Sequence, residues 1–146
     1  MPAYSTYDKV LAERDGYAYR PIGGNAEGVS GGVTTLTWQA DKQAAITGGV
    51  ICAWQAVYGD TVTVEVGYDD GGAWTVKRVL TKDLPILVGG RVEIGADYAL
   101  ELPPELSLRV TYTSVGTTNP QIGVVINAWF PAQDVSQVQV VFTTDP

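Results

Sequence analysis

The chain has 146 residues, 45% of them apolar and 17% charged, a balance too apolar for a disordered segment and sufficient for one buried core. A net charge of −7 and the absence of histidine argue against a nucleic-acid partner, because no basic stripe can release counterions, and remove the usual neutral-pH base and commonest metal ligand. One cysteine excludes an intrachain disulfide and fits a reducing compartment, and no apolar run reaches the length of a membrane span.

Residues 1–32 read as an N-terminal arm. The first residues lack the basic start and apolar run of a secretory signal, so maturation in a cytosol is expected. A short helix is predicted over 5–14, and Gly23-Gly24, Gly28 and Gly31-Gly32 predict a flexible, extended run after it. The arm carries Tyr4, Tyr7, Tyr17 and Tyr19. Aromatics without a core of their own are costly to leave in water, so these four are expected to dock on a partner surface. The alternative is that the arm lies along its own domain.

From Val33 onward one grammar repeats: short runs of Val, Ile, Thr, Tyr and Trp closed off by Gly, Asp, Asn or Pro, which is strand and turn. Strands are predicted over 33–38, 49–57, 73–81, 84–88 and 91–102, the last interrupted at Gly95-Ala96-Asp97. Three segments alternate more cleanly. Val62, Val64, Val66 and Tyr68 share one face, as do Leu106, Leu108, Val110 and Tyr112, and Ile122, Val124, Ile126 and Ala128, with Val138, Val140 and Phe142 following. Tyr58-Gly59-Asp60 and Asp69-Asp70-Gly71-Gly72 suit tight turns. Pro103-Pro104 bars a central strand and is expected to mark a corner between sheets or a connection on the rim. No helical periodicity supports parallel crossovers, so residues 33–146 are expected to form an all-β, antiparallel β-sandwich of jelly-roll type with the arm before it.

Chemistry-bearing constellations are scarce. Cys52, within Val50-Ile51-Cys52-Ala53-Trp54, reads as a buried small hydrophobe. Glu65, Asp69, Asp70, Glu93 and Glu101 read as solvated or turn carboxylates, since no spacing pairs them for glycoside hydrolysis. Gly23-Gly24-Asn25 and Gly89-Gly90-Arg91 lack the Gly-Lys-Ser/Thr and helix of a phosphate loop. Neither catalytic residues, a metal site nor a cofactor is expected. Trp38, Trp74 and Trp129 are candidate surface aromatics on which a sugar could stack, which keeps a carbohydrate-binding module open as an alternative function.

Tyr58-Gly59-Asp60-Thr61-Val62-Thr63-Val64-Glu65-Val66, then Leu102-Pro103-Pro104-Glu105-Leu106-Ser107-Leu108-Arg109-Val110-Thr111-Tyr112, and the turn Gly116-Thr117-Thr118-Asn119-Pro120 resemble the small jelly-roll virion proteins of tailed bacteriophages. Residues 50–130 carry the likeness. It implies a non-enzymatic capsid decoration or cement protein located in the virion and assembled in the host cytoplasm. Such a protein would form a homo-oligomer, dimer or trimer, and its partner would be the major capsid protein or another virion protein. Neither nucleic acid nor membrane is implied, and a tail, neck or fibre component is similar in kind.

Overall fold

Alternating apolar residues give a strand one dry face, and eleven strands make up most of the described chain. The computed structural model describes residues 16–86, 90–94 and 100–145. The strands are β1 (Tyr17–Tyr19), β2 (Ile22–Glu27), β3 (Val33–Ala40), β4 (Ala44–Trp54), β5 (Thr61–Asp70), β6 (Ala73–Pro85), β7 (Arg91–Ile94), β8 (Leu100–Leu102), β9 (Ser107–Thr113), β10 (Gln121–Pro131) and β11 (Val140–Asp145). Among the described residues the helical content is one 3-10 turn at Val135–Gln137. The helix expected over 5–14 lies outside the described residues.

Every pairing is antiparallel. In the first sheet β10 pairs with β1 and β2 on one side and β4 on the other, while β7 and β8 pair with successive stretches of β4. The second sheet runs β11-β3-β9-β5-β6. Counting β1 with β2 and β7 with β8 as one strand position each, the sheets read 1-8-3-6 and 2-7-4-5 in chain order, with β11 added at an edge. That interleaving is the jelly roll: apart from the β5–β6 hairpin, which stays within the second sheet, strands pair with partners distant in sequence and successive positions alternate between the sheets.

The alternation read from sequence is the one the sheets use. Val62, Val64 and Val66 of β5, Leu108, Val110 and Tyr112 of β9, and Ile122, Val124, Ile126 and Ala128 of β10 all face the core and are buried. Trp38 and Leu36 of β3 and Ile46 and Ile51 of β4 complete the same cluster. Pro103-Pro104 falls where the chain leaves β8 in the first sheet for β9 in the second, closed by a bond from Leu106 N–H to Pro103 O at 3.0 Å. The outer face of the second sheet is polar and β-branched: Thr35, Thr111 and Thr63 lie side by side in one row, Thr113 and Thr61 in the next.

Residues 17–27 belong to the sandwich as β1 and β2, so the described part of the expected arm lies along its own domain. The glycines that suggested flexibility are there for space. A Cβ on Gly23 would sit 2.6 Å from Val124 O, and one on Gly24 would run into the ring of Phe142. Phe142 stacks on the buried Trp38, centroids 5.1 Å apart, and the Trp38 indole N–H donates to Gly23 O at 3.1 Å. A buried donor in the centre of the core therefore finds its acceptor on β2. Deleting residues 1–27 is expected to abolish the cooperative thermal transition followed by circular dichroism. A melting midpoint within about 5 °C of the full chain, the shift expected for ~1 kcal/mol in a domain of this size, would mean β2 is dispensable.

Candidate interaction surface at one end of the sandwich

In this topology the β2–β3, β4–β5 and β9–β10 connections gather at one end together with Ile86, which follows β6, and their hydrogen bonds tie them together. Ser114 N–H donates to Gly32 O at 2.9 Å, Ser30 N–H to Asn119 Oδ1 at 2.9 Å, and Ile86 N–H to Asp60 O at 2.9 Å. At the centre is Asp60, 1% exposed. Its Oδ2 accepts the Tyr112 hydroxyl at 2.6 Å and the Val57 N–H at 3.2 Å, and its Oδ1 accepts the Val115 N–H at 2.9 Å. A carboxylate taken out of water is tolerable when its lone pairs are met in this way, and each donor then holds its loop in place.

Glycines let the two loops close over one another. A Cβ on Gly59, whose φ of 103° favours glycine, would lie 2.9 Å from a Val115 methyl, and one on Gly116 would lie 3.0 Å from a Val57 methyl. Each loop thus lays a valine over the glycine of the other. The outer surface of this fixed end is apolar and aromatic: Tyr58 is 97% exposed and Val115 58%, with Val57 and Val29 also exposed. An uncovered tyrosine beside exposed valines, on loops held in place, is the composition of a contact hot spot.

The aromatics proposed from sequence are distributed differently. Trp38 is 1% and Trp129 3% exposed, so neither offers a face to a sugar. Trp129 is capped by Tyr19 at a centroid distance of 5.1 Å, and its N–H donates to Thr47 Oγ1 at 3.1 Å. Tyr19 in turn donates its hydroxyl to Asn127 Oδ1 at 2.8 Å, and Tyr17 packs on the same cluster. Trp74 is half-buried, with the Arg109 guanidinium 3.9 Å from its ring centroid and its N–H donating to Glu65 Oε1 at 3.3 Å. Tyr4 and Tyr7 lie outside the described residues.

Two exposed aromatics were passed over, Trp54 and Tyr58. The signal for Trp54 was in its phase, since Ile51 and Ala53 face in and its own side chain must face out. Cys52 needs the same correction: it is exposed on the outer face of β4, in register with Arg91, and is no part of the core. Among the described residues no group of three acidic, cysteine or histidine side chains converges as a metal site would require. No helix among them is long and apolar enough to cross a membrane.

No protein-family model and no curated protein matches the sequence. Among solved structures, the chain is similar to VP2 of infectious bursal disease virus in a subviral particle, at 15% identity and a TM-score of 0.46, over 91% of this chain and 37% of that one. A mutant VP2 in derived T=1 particles gives 13% identity and a TM-score of 0.45 over 99% and 40%. The T13 particle of the same virus gives 12% and 0.38 over 84% and 42%. The chain thus spans about two fifths of the chains it overlaps. Overlaps with TM-scores under 0.5 assign no role, and the jelly roll rests on the strand order itself.

The Asp60 node makes two predictions. Asp60→Ala strands the Tyr112 hydroxyl and two backbone N–H groups, and is expected to lower unfolding free energy by about 2–4 kcal/mol in urea titrations, with Asp60→Asn recovering part of it. Burial first, then the hydrogen bond and charge of Asp60, hold the Tyr112 hydroxyl well above the ordinary tyrosine value of about 10. The folded state therefore keeps a proton that the unfolded chain releases. The stabilisation is whole below pH ~10 and is lost as pH rises beyond it. Stability measured from pH ~9 to ~12 should fall less steeply in Tyr112→Phe than in the wild type.

Proposed function

We propose that this chain is a non-enzymatic structural protein of a virus particle, a decoration or cement subunit that self-associates and seats on a capsid lattice through its loop end. The observation that carries this reading is the loop end itself: Tyr58, Val57 and Val115 stand in water on two loops locked by a buried carboxylate, with Val29 exposed on the neighbouring β2–β3 connection. A surface of that kind is expensive to expose and is already ordered, so little entropy is lost when a partner covers it. The jelly-roll strand order adds support, since virus shells use the same architecture. Lectins and cupins use it too, so the fold alone does not choose between them.

The mechanism is additive. Each copy buries apolar area at a joint between subunits, worth roughly 25 cal/mol per Å² before ordering costs. Many weak copies together raise the work needed to separate the lattice. The partner is the major capsid protein or a second virion protein, and the site of action is the virion.

Self-association is the direct test. Light scattering after size exclusion is expected to give a dimer or trimer for the wild type, shifted to monomer by Tyr58→Ala or Val57→Asp at the same concentration, because truncating a hot-spot aromatic costs roughly 2 kcal/mol or more. Binding to heads assembled from the capsid protein of the same virus should weaken in parallel. A wild-type protein that remains monomeric and leaves heads unbound would contradict the reading.

A further inference from the structure

The outer face of the first sheet carries a second surface of different chemistry, and its side chains fall into rows fixed by register. Glu27, Gln121 and Trp54 lie side by side on β2, β10 and β4. The next row is Asn25, Gly123, Cys52 and Arg91, and the one after it Gly23, Val125, Val50 and Glu93. Directly opposed residues have Cβ atoms about 5 Å apart, so the indole and the carboxylate stand about 10 Å apart across Gln121. Gly123 has no side chain, and the sheet there sinks into a hollow of about 410 Å³ lined by Asn25, Ala26, Glu27, Gln121, Ile122 and Gly123.

We infer that this hollow and the indole of Trp54, which stands across Gln121 from Glu27 without lining the hollow itself, together bind a neutral saccharide, with Trp54 as the stacking platform, Gly123 as the floor, and Asn25, Gln121 and Glu27 as the hydrogen-bonding groups. Trp54 is 74% exposed on the outward phase of β4, the presentation a sugar's C–H face requires. The side-chain amides of Asn25 and Gln121 have no protein hydrogen-bond partner among the described residues, and each offers both donors and an acceptor, matching hydroxyls that do both. Glu27 is held beside them by Asn119, whose Nδ2 donates to its Oε1 at 3.4 Å.

Other ligand classes fit less well. The floor strand β10 is paired on both sides, so an extended peptide could add only along the outer edge of β2, on the side of the hollow away from Trp54. Arg91 is the cation of the neighbouring row and is paired with Glu93 at 3.3 Å. With Glu27 at the rim and a net charge of −7, the site repels phosphates and acidic sugars. This row borders the loop end, since Trp54 closes the strand that leads to Val57 and Tyr58 and Asn119 bonds both Ser30 and Glu27, so self-association is measured beside sugar binding to tell the two readings apart.

The test uses the full chain and a panel of neutral hexasaccharides built from glucose (α- and β-linked), xylose, mannose and N-acetylglucosamine, with sialyllactose and oligogalacturonate as the acidic arm. Binding is followed by tryptophan fluorescence and calorimetry. Saturable binding to at least one neutral member is expected, weakened tenfold or more by Trp54→Ala and by Gly123→Val. A Cβ at Gly123 meets Asn25 Oδ1 at 3.4 Å, an ordinary contact, so Gly123→Val fills the hollow while leaving the thermal midpoint and self-association unchanged. No binding by any neutral member, binding confined to the acidic arm, or binding that survives either substitution within threefold would overturn the inference.

Discussion

A carboxylate buried to 1% exposure imposes a strong constraint on everything near it. In a medium of low polarity an unpaired Asp60 would be too costly to keep charged, so the loops around it must deliver donors at fixed positions. They deliver three: the hydroxyl of Tyr112 at the end of β9, and the N–H groups of Val57 and Val115 from two different connections. One side chain thereby couples the end of the second sheet to the two loops that bear the exposed apolar surface. Without it, residues 55–60 and 114–116 would be ordinary loops, free to fold their valines inward.

The jelly roll is what makes such coupling available. Because β9 lies between β3 and β5, and β10 between β2 and β4, loops distant in sequence meet at one end. The Greek-key exchange also leaves two outer faces of contrasting character. One is a threonine-rich sheet with Arg109 spread over Trp74; the other is glycine-floored and flanked by Trp54. The long edge strand β6 carries Lys77, Arg78 and Lys82 on exposed positions, charges that discourage edge-to-edge pairing with another sheet. Contact is thereby steered away from that edge.

Much of this was legible in the chain. Val62, Val64 and Val66, and Leu108, Val110 and Tyr112, announce their buried face by strict alternation, and Pro103-Pro104 announces the passage between sheets. Where sequence reasoning failed, the reason was tertiary. Ile22-Gly23-Gly24-Asn25 looks like a flexible run because glycine reports either freedom or close approach, and only the positions of Val124 and Phe142 show that here it is the latter. Trp38 and Trp129 read as surface aromatics and Trp54 did not, since period-two patterning gives the phase of a residue without saying which face of a sheet is covered. The role of Asp60 was hidden for a related reason: a Gly-Asp turn predicts a solvated acid, and its partners Tyr112 and Val115 lie more than fifty residues away. The virion resemblance gave a role without a surface, and the surface came from burial.

The central claim is that this loop end is ordered in advance and is the part of the molecule a partner covers. Amide hydrogen exchange on the free and the assembled protein tests it most directly. The account predicts that the amides of Val57 and Val115 exchange as slowly as those of the core strands in the free protein, and that peptides spanning 55–60 and 114–116 gain protection on assembly. Rapid exchange at both amides in the free protein, or new protection confined to other parts of the chain, would contradict it.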